Sequence, residues 1–198
     1  MNIIGITGPT GAGKSLLTSY LREKGIPTID ADGVYHSMLI PPSKCLDALR
    51  SAFGDGIFCA DGSLDRGKLG TLVFNSQEKL ELLNGTVLQN VICEIRHIIA
   101  DLCKGGADTV AIDAPTLIES GFHRECTAVI SVLAPTSLRL ERIIERDGIS
   151  KESARLRVKA QKSDSFYIEN SDFVLTNDGD TEKFENEVSR LFEKLDLQ

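Results

Sequence analysis

The 198-residue sequence predicts an α/β fold: a five-stranded parallel sheet flanked by helices, with a phosphate-binding loop after the first strand. Five short, apolar runs alternate with helical patterns, which signals crossover units and a sheet covered on both faces. A glycine-rich segment separates the first run from the helix after it, and two helical excursions interrupt the alternation without adding strands.

The first run is Asn2-Ile3-Ile4-Gly5-Ile6-Thr7, apolar and β-branched as a buried strand should be. Gly8-Pro9-Thr10-Gly11-Ala12-Gly13-Lys14-Ser15 then fits the pattern G-x-x-x-x-G-K-[ST] without a mismatch. Leu16, Leu17, Tyr20 and Leu21 follow at helical spacing. Strand, glycine loop and helix form the context in which this motif binds nucleotide phosphates. Its backbone N–H groups point at phosphate oxygens from a helix N-terminus of partial positive charge. Lys14 is expected to bridge the β- and γ-phosphates, and the Ser15 hydroxyl to ligate Mg²⁺.

Lys24-Gly25-Ile26-Pro27 ends the first helix, with Gly25 expected in the C-cap position. Thr28-Ile29-Asp30 reads as a second strand. Residues 33–104 read as mostly helical, broken at Ile40-Pro41-Pro42 and around Asp61-Gly62-Ser63; Leu80, Leu82, Leu83, Val87, Val91, Ile92, Ile95, Ile98, Ile99 and Leu102 predict buried helices. Strands return at Thr109–Asp113, Ala128–Leu133 and Phe173–Thr176, and a charged helical region at 136–170 separates the last two. Asp180 is placed to cap a final helix with an apolar stripe of Phe184, Val188, Leu191, Phe192 and Leu195. This is a nucleotide-kinase-like order: a core of 1–32, 105–135 and 171–198, a helical acceptor subdomain of 33–104, and a lid of 136–170.

Composition excludes several classes. The net charge of −7, without a long basic run, argues against a nucleic-acid partner. Cys45, Cys59, Cys93, Cys103 and Cys126 are odd in number and never spaced C-x-x-C, so buried free thiols in a reducing compartment are expected. No apolar run reaches membrane-spanning length and the N-terminus enters a strand directly, which predicts a cytoplasmic protein without membrane association. His36, His97 and His123 lack partners at metal-ligand or triad spacing, so no protein-built metal site is expected, and His97 and His123 read as surface or packing residues.

Asp30 and Asp32 lie two apart at the carboxyl end of the second strand, where ligands gather in parallel sheets. Asp32 has two readings: a base for an attacking hydroxyl, or the N-cap of the helix that follows. Asp113 also has two, as a Walker B carboxylate holding Mg²⁺ directly or through water, or as a turn aspartate before Ala114-Pro115. Arg139, Arg142 and Arg146 line one helical face, with Arg155 and Arg157 beyond the break at Asp147-Gly148. Glu141, Glu145 and Asp147 are interleaved with them, so the face has two readings: solvated ion pairs of little energetic worth, or lid arginines, Arg142 and Arg146 first and Arg157 behind them, that neutralise charge on the transferring phosphoryl group.

The sequence resembles the dephospho-coenzyme A kinase family. The resemblance runs through the phosphate loop, Ile29-Asp30-Ala31-Asp32, Phe53-Gly54, Asp61-Gly62-Ser63-Leu64-Asp65-Arg66, Leu69 and Val73-Phe74. It continues through Leu83-Asn84, Asp113-Ala114-Pro115 with Leu117 and Glu119, Arg142 to Gly148, Arg157, Gln161, Asp172 and Asn177. It implies transfer of the ATP γ-phosphoryl group to the ribose 3′-hydroxyl of dephospho-CoA, with ATP and Mg²⁺ required. It further implies that Asp32 is the base, that Lys14, Ser15, Arg142 and Arg146 serve the phosphates, and that Asn177 contacts adenine. Asp32, His36, Arg66, Leu88, Asp113 and Glu119 are the implied acceptor-side positions.

Several residues depart from the family pattern: His36 for arginine, Leu88-Gln89 for His-Pro, Tyr167 for lysine, and Thr116 and Ile118 for Leu and Phe. The loss of a guanidinium's fixed charge and five donors at 36, and of an imidazole at 88, is expected to weaken acceptor binding more than phosphoryl transfer. Two other readings stay open: a kinase of this fold acting on a nucleoside or sugar, and a non-catalytic nucleotide-binding module.

Overall fold

The computed structural model describes residues 1–74 and 76–194. Its strands fall on the five apolar runs: β1 (Asn2–Thr7), β2 (Thr28–Asp30), β3 (Thr109–Asp113), β4 (Ala128–Leu133) and β5 (Phe173–Thr176). They form one all-parallel sheet in the order β2-β3-β1-β4-β5. Central β1 pairs on both sides, so that Ile6 faces Asp113 of β3 and Ile130 of β4. The chain therefore leaves β1 at the point where strand order reverses, the usual ligand crevice of such sheets. Every residue of β4 is buried, as a central strand covered on both faces requires.

Nine α-helices occur among the described residues: α1 (Lys14–Glu23), α2 (Ala31–Ser37), α3 (Lys44–Phe53), α4 (Arg66–Phe74), α5 (Gln77–Lys104), α6 (Thr136–Asp147), α7 (Lys151–Lys159), α8 (Asp164–Glu169) and α9 (Thr181–Lys194). The chain divides into two compact units, Met1–Ile29 with Leu102–Gln198, and Asp30–Asp101. In the first, Leu17 and Leu21 of α1 pack with Ile4 and Ile6 of β1, Ile130 and Val132 of β4, and Phe184, Val188, Leu191 and Phe192 of α9. Leu195, expected on the same stripe, lies outside the described residues. The Asp180 carboxylate accepts from Lys183 N–H at 3.0 Å and caps α9. The α1 cap falls one residue before its predicted place: Lys24 is the C-cap, and Gly25 supplies the left-handed turn after it at φ 77.

The second unit has its own core, in which Cys45, Leu46 and Leu49 of α3 meet Ile57, Leu69 and Val73. Ser43 caps α3, its hydroxyl accepting from Cys45 and Leu46 N–H at 3.1 and 3.3 Å. Two expectations need correction here. The apolar residues predicted to make buried helices lie on one 28-residue helix, α5, in which only Ile95 and Ile99 are buried and Leu82 is 47% exposed. Their stripe is wider than the surface it packs on. The cysteines are free, but Cys59, Cys93 and Cys103 are exposed, and only Cys45 is fully buried. Cys93 and Cys103 lie on α5, and Cys59 lies in the turn that precedes Asp61-Gly62-Ser63.

Candidate active site

The phosphate loop spans Gly8 to Ser15, between β1 and the first turn of α1. Gly13 is the α1 N-cap at φ 95, and a Cβ there would overlap Asn177 Nδ2. Both conditions demand glycine. Lys14 Nζ donates to the Gly8 carbonyl at 3.1 Å, so the lysine folds back over its own loop. Ser15 is exposed at the start of α1. Asp113 ends β3 in register with Ile6, one residue before Thr7, and the Thr7 hydroxyl donates to Pro115 O at 3.3 Å. The Ser15 hydroxyl, in the first turn of α1, and the Asp113 carboxylate, at the carboxyl end of β3, are hard-oxygen donors of the kind that suits Mg²⁺.

Helix α6 brings arginines to this loop. Arg142 donates through Nη1 to Gly11 and Ala12 carbonyls at 3.2 and 3.4 Å, and through Nη2 to Asn177 Oδ1 at 2.9 Å. Asn177, just past β5, is only 1% exposed; its Oδ1 also accepts from Gly179 N–H at 3.3 Å, while Nδ2 makes no hydrogen bond among the described residues. The loop, Arg142 and Asn177 thus form one connected group. Arg146 is exposed; it pairs with Asp147 at 2.7 Å and reaches the Thr10 hydroxyl at 3.5 Å. Arg157 also pairs with Asp147. The hydrogen-bonded Arg146 guanidinium, helped by Arg157, holds the Asp147 carboxyl below its usual range.

Two residues that were not among the expected site residues touch the loop directly. Arg139 is 4% exposed and donates through Nε to the Thr10 carbonyl at 3.0 Å. Gln161, between α7 and α8, accepts the Thr10 N–H at 2.6 Å. Burial lowers the Arg139 pKa, partly opposed by the Asp164 charge. The only sequence signal for Arg139 is its place on the arginine face of α6; Gln161 carried one only as part of the family resemblance.

Glu119, six residues after the end of β3, is exposed. Tyr167 is buried with Ile118 and Leu133. Burial chiefly, and then the Glu119 charge, raises the Tyr167 pKa. Two of the departures, Ile118 and Tyr167, therefore pack in one small core.

The remaining candidates belong to the helical unit. Asp30 is the N-cap of α2: its carboxylate accepts the Asp32 N–H at 3.0 Å. This corrects the reading of Asp32 as the cap, because α2 starts at Ala31, two residues earlier than that reading requires. The Asp32 carboxylate is exposed and makes no hydrogen bond or ion pair among the described residues. His36 lies one turn along α2, exposed, with its ring 5.4 Å from Tyr35. Arg66 opens α4 exposed, and Leu88 is half-buried on α5. His97 is exposed beside Glu94, and His123 is half-buried with a buried Nδ1. No helix of the described residues is long and apolar enough to cross a membrane.

A family model described as dephospho-CoA kinase matches residues 2–183. A dephospho-CoA kinase of Geobacillus kaustophilus is 33% identical over 193 residues, covering 98% of this chain and 96% of that one. The crystal structure of a Thermus thermophilus protein superposes with a TM-score of 0.78 at 30% identity, over 98% of this chain and 97% of that one. Dephospho-CoA kinase from Campylobacter jejuni superposes with a TM-score of 0.70 at 25% identity, over 98% and 96%.

Proposed function

The chain belongs to the dephospho-CoA kinase family, and from that premise we propose that it transfers the γ-phosphoryl group of ATP to the ribose 3′-hydroxyl of dephospho-CoA. The single observation that carries this reading is the connected group of phosphate loop, Arg142 and Asn177. Loop N–H groups and the α1 N-terminus bind the phosphates, and Lys14 swings from the Gly8 carbonyl to the γ-phosphate. Arg142 and Arg146 take up the charge that spreads over the γ-oxygens in the transition state. Ser15 and Asp113 would hold Mg²⁺, which supplies charge neutralisation between the β- and γ-phosphates when bound.

Asp32 accepts the 3′-hydroxyl proton as the ribose oxygen bonds to phosphorus, the bond to the β-phosphate oxygen breaks, and ADP leaves. What supports this role is that Asp30 is engaged in capping α2, whereas the Asp32 carboxylate is exposed. His36, Arg66, Leu88 and Glu119 are the acceptor-side residues of this proposal. The test is coupled ADP release with and without dephospho-CoA. A dephospho-CoA-dependent rate supports the assignment, and a rate driven by a nucleoside or sugar instead would overturn it.

A further inference from the structure

Thr10 lies at the middle of the phosphate loop with both backbone groups committed to side chains from far along the chain. Its N–H donates to Gln161 Oε1 at 2.6 Å, and its carbonyl accepts from Arg139 Nε at 3.0 Å. Arg139 Nη2 completes the triangle by donating to the same Gln161 oxygen at 3.3 Å. Behind it, Arg139 Nη1 stands 3.8 Å from the Asp164 carboxylate at the start of α8. The approach is close enough that a Cβ on Gly11 would lie 2.8 Å from the Arg139 carbonyl oxygen.

Burying a guanidinium is costly unless its donors are matched, and here Nε and Nη2 each have an acceptor. Holding both ends of Thr10 prevents the flanking peptides from flipping. The amides of 11–15 then keep the alignment that phosphate oxygens need, with no ordering cost when nucleotide arrives.

We propose that Gln161 and Arg139 are positioning residues for ATP: together they clamp Thr10 and hold the phosphate loop in its binding shape. Gln161 joins α7 to α8, so the clamp also couples order in that segment to order in the loop. The proposal rests on the kinase reading only in taking ATP as the loop's ligand. Its test therefore measures nucleotide binding directly, without the acceptor.

Gln161→Met keeps length and bulk but removes the acceptor for Thr10 N–H. Calorimetric titration is expected to show Kd for ATP raised about tenfold, equivalent to ~1.4 kcal/mol. Hydrogen exchange should accelerate at the amides of 10–14 and stay unchanged in the β-strands. Where turnover is measured, KM for ATP should rise while KM for the acceptor stays put. Arg139→Met should act through the same peptide, so the double variant should lose clearly less than the product of the two single losses. Should Gln161→Met fail to fold, Gln161→Asn, one methylene too short, is expected to give the same pattern. Unchanged ATP affinity and loop exchange in a folded variant would overturn the proposal, as would equal weakening of both substrates with a general rise in exchange.

Discussion

Asp30 and Asp32 provide a sharp test, because the two carboxylates are two residues apart and are assigned unrelated work. Helix α2 is seven residues long and buries none of them, so its N-terminal cap has little packing to back it. Asp30→Ala removes the acceptor of the 3.0 Å bond from Asp32 N–H. Losing such a cap costs about 1 kcal/mol, which for a chain of this size lowers Tm by roughly 2–4 °C. Asp30→Asn keeps an acceptor oxygen in place and should restore Tm. Asp32→Asn leaves the backbone N–H and therefore the cap intact, so its Tm should match wild type. Removing the base should instead cost about two to four orders of magnitude in kcat, a barrier rise of roughly 3–5 kcal/mol, while ATP affinity stays level. Scanning calorimetry with the coupled ADP-release assay on all three variants separates the roles. If Asp30→Asn is as inactive as Asp32→Asn, or if Asp32→Asn lowers Tm as much as Asp30→Ala, the assignment fails.

Three further outcomes are expected. Lys14→Ala should abolish turnover while circular dichroism and Tm stay near wild type; appreciable activity in the folded variant would remove Lys14 from phosphoryl transfer. His36→Arg should lower KM for dephospho-CoA about tenfold with kcat little changed, since it adds a fixed charge and five donors; identical KM values would place His36 outside acceptor binding. Asp147 has a folded-state pKa held below its ordinary 3.8 by Arg146 and then Arg157. Its stabilising contribution is therefore complete above that ordinary value and lost as pH falls through the folded-state one. Tm of wild type and Asp147→Asn should differ by a constant amount from about pH 5 to 8 and converge in stronger acid; a gap already closing near neutrality would contradict the pairing.

All five strands fall on apolar runs legible in the sequence: β1, β3 and β4 are the long buried runs of a covered parallel sheet, while the edge strands β2 and β5 bury one residue each and show as shorter runs. The phosphate loop was equally plain, since its chemistry is confined to eight consecutive residues. What spacing missed is long-range. Nothing about Arg139, Arg142 and Arg146 as one helical face says that Arg139 is buried beneath the loop while Arg146 stays in solvent. That depends on where α6 meets residues 129 to 131 positions earlier. The Gln161 contact spans 151 positions and is likewise invisible to local pattern. The Asp30–Asp32 ambiguity had a different source: moving a helix start by two residues transfers the cap from one aspartate to the other.

The loop motif is complete at residue 15, yet its scaffold is assembled from later parts of the chain. The Val132 carbonyl backs Gly8, Arg139 and Arg142 hold the loop's carbonyls, Gln161 takes the Thr10 amide, and Asn177 abuts Gly13. During translation the motif thus emerges well before its last buttress, Asn177. A nascent chain halted before β5 carries the full signature but lacks the Asn177 support for Gly13. Nucleotide can then stabilise the folded form by mass action only after Asn177 has emerged, so ATP is poorly suited to act as a template for the loop before that point.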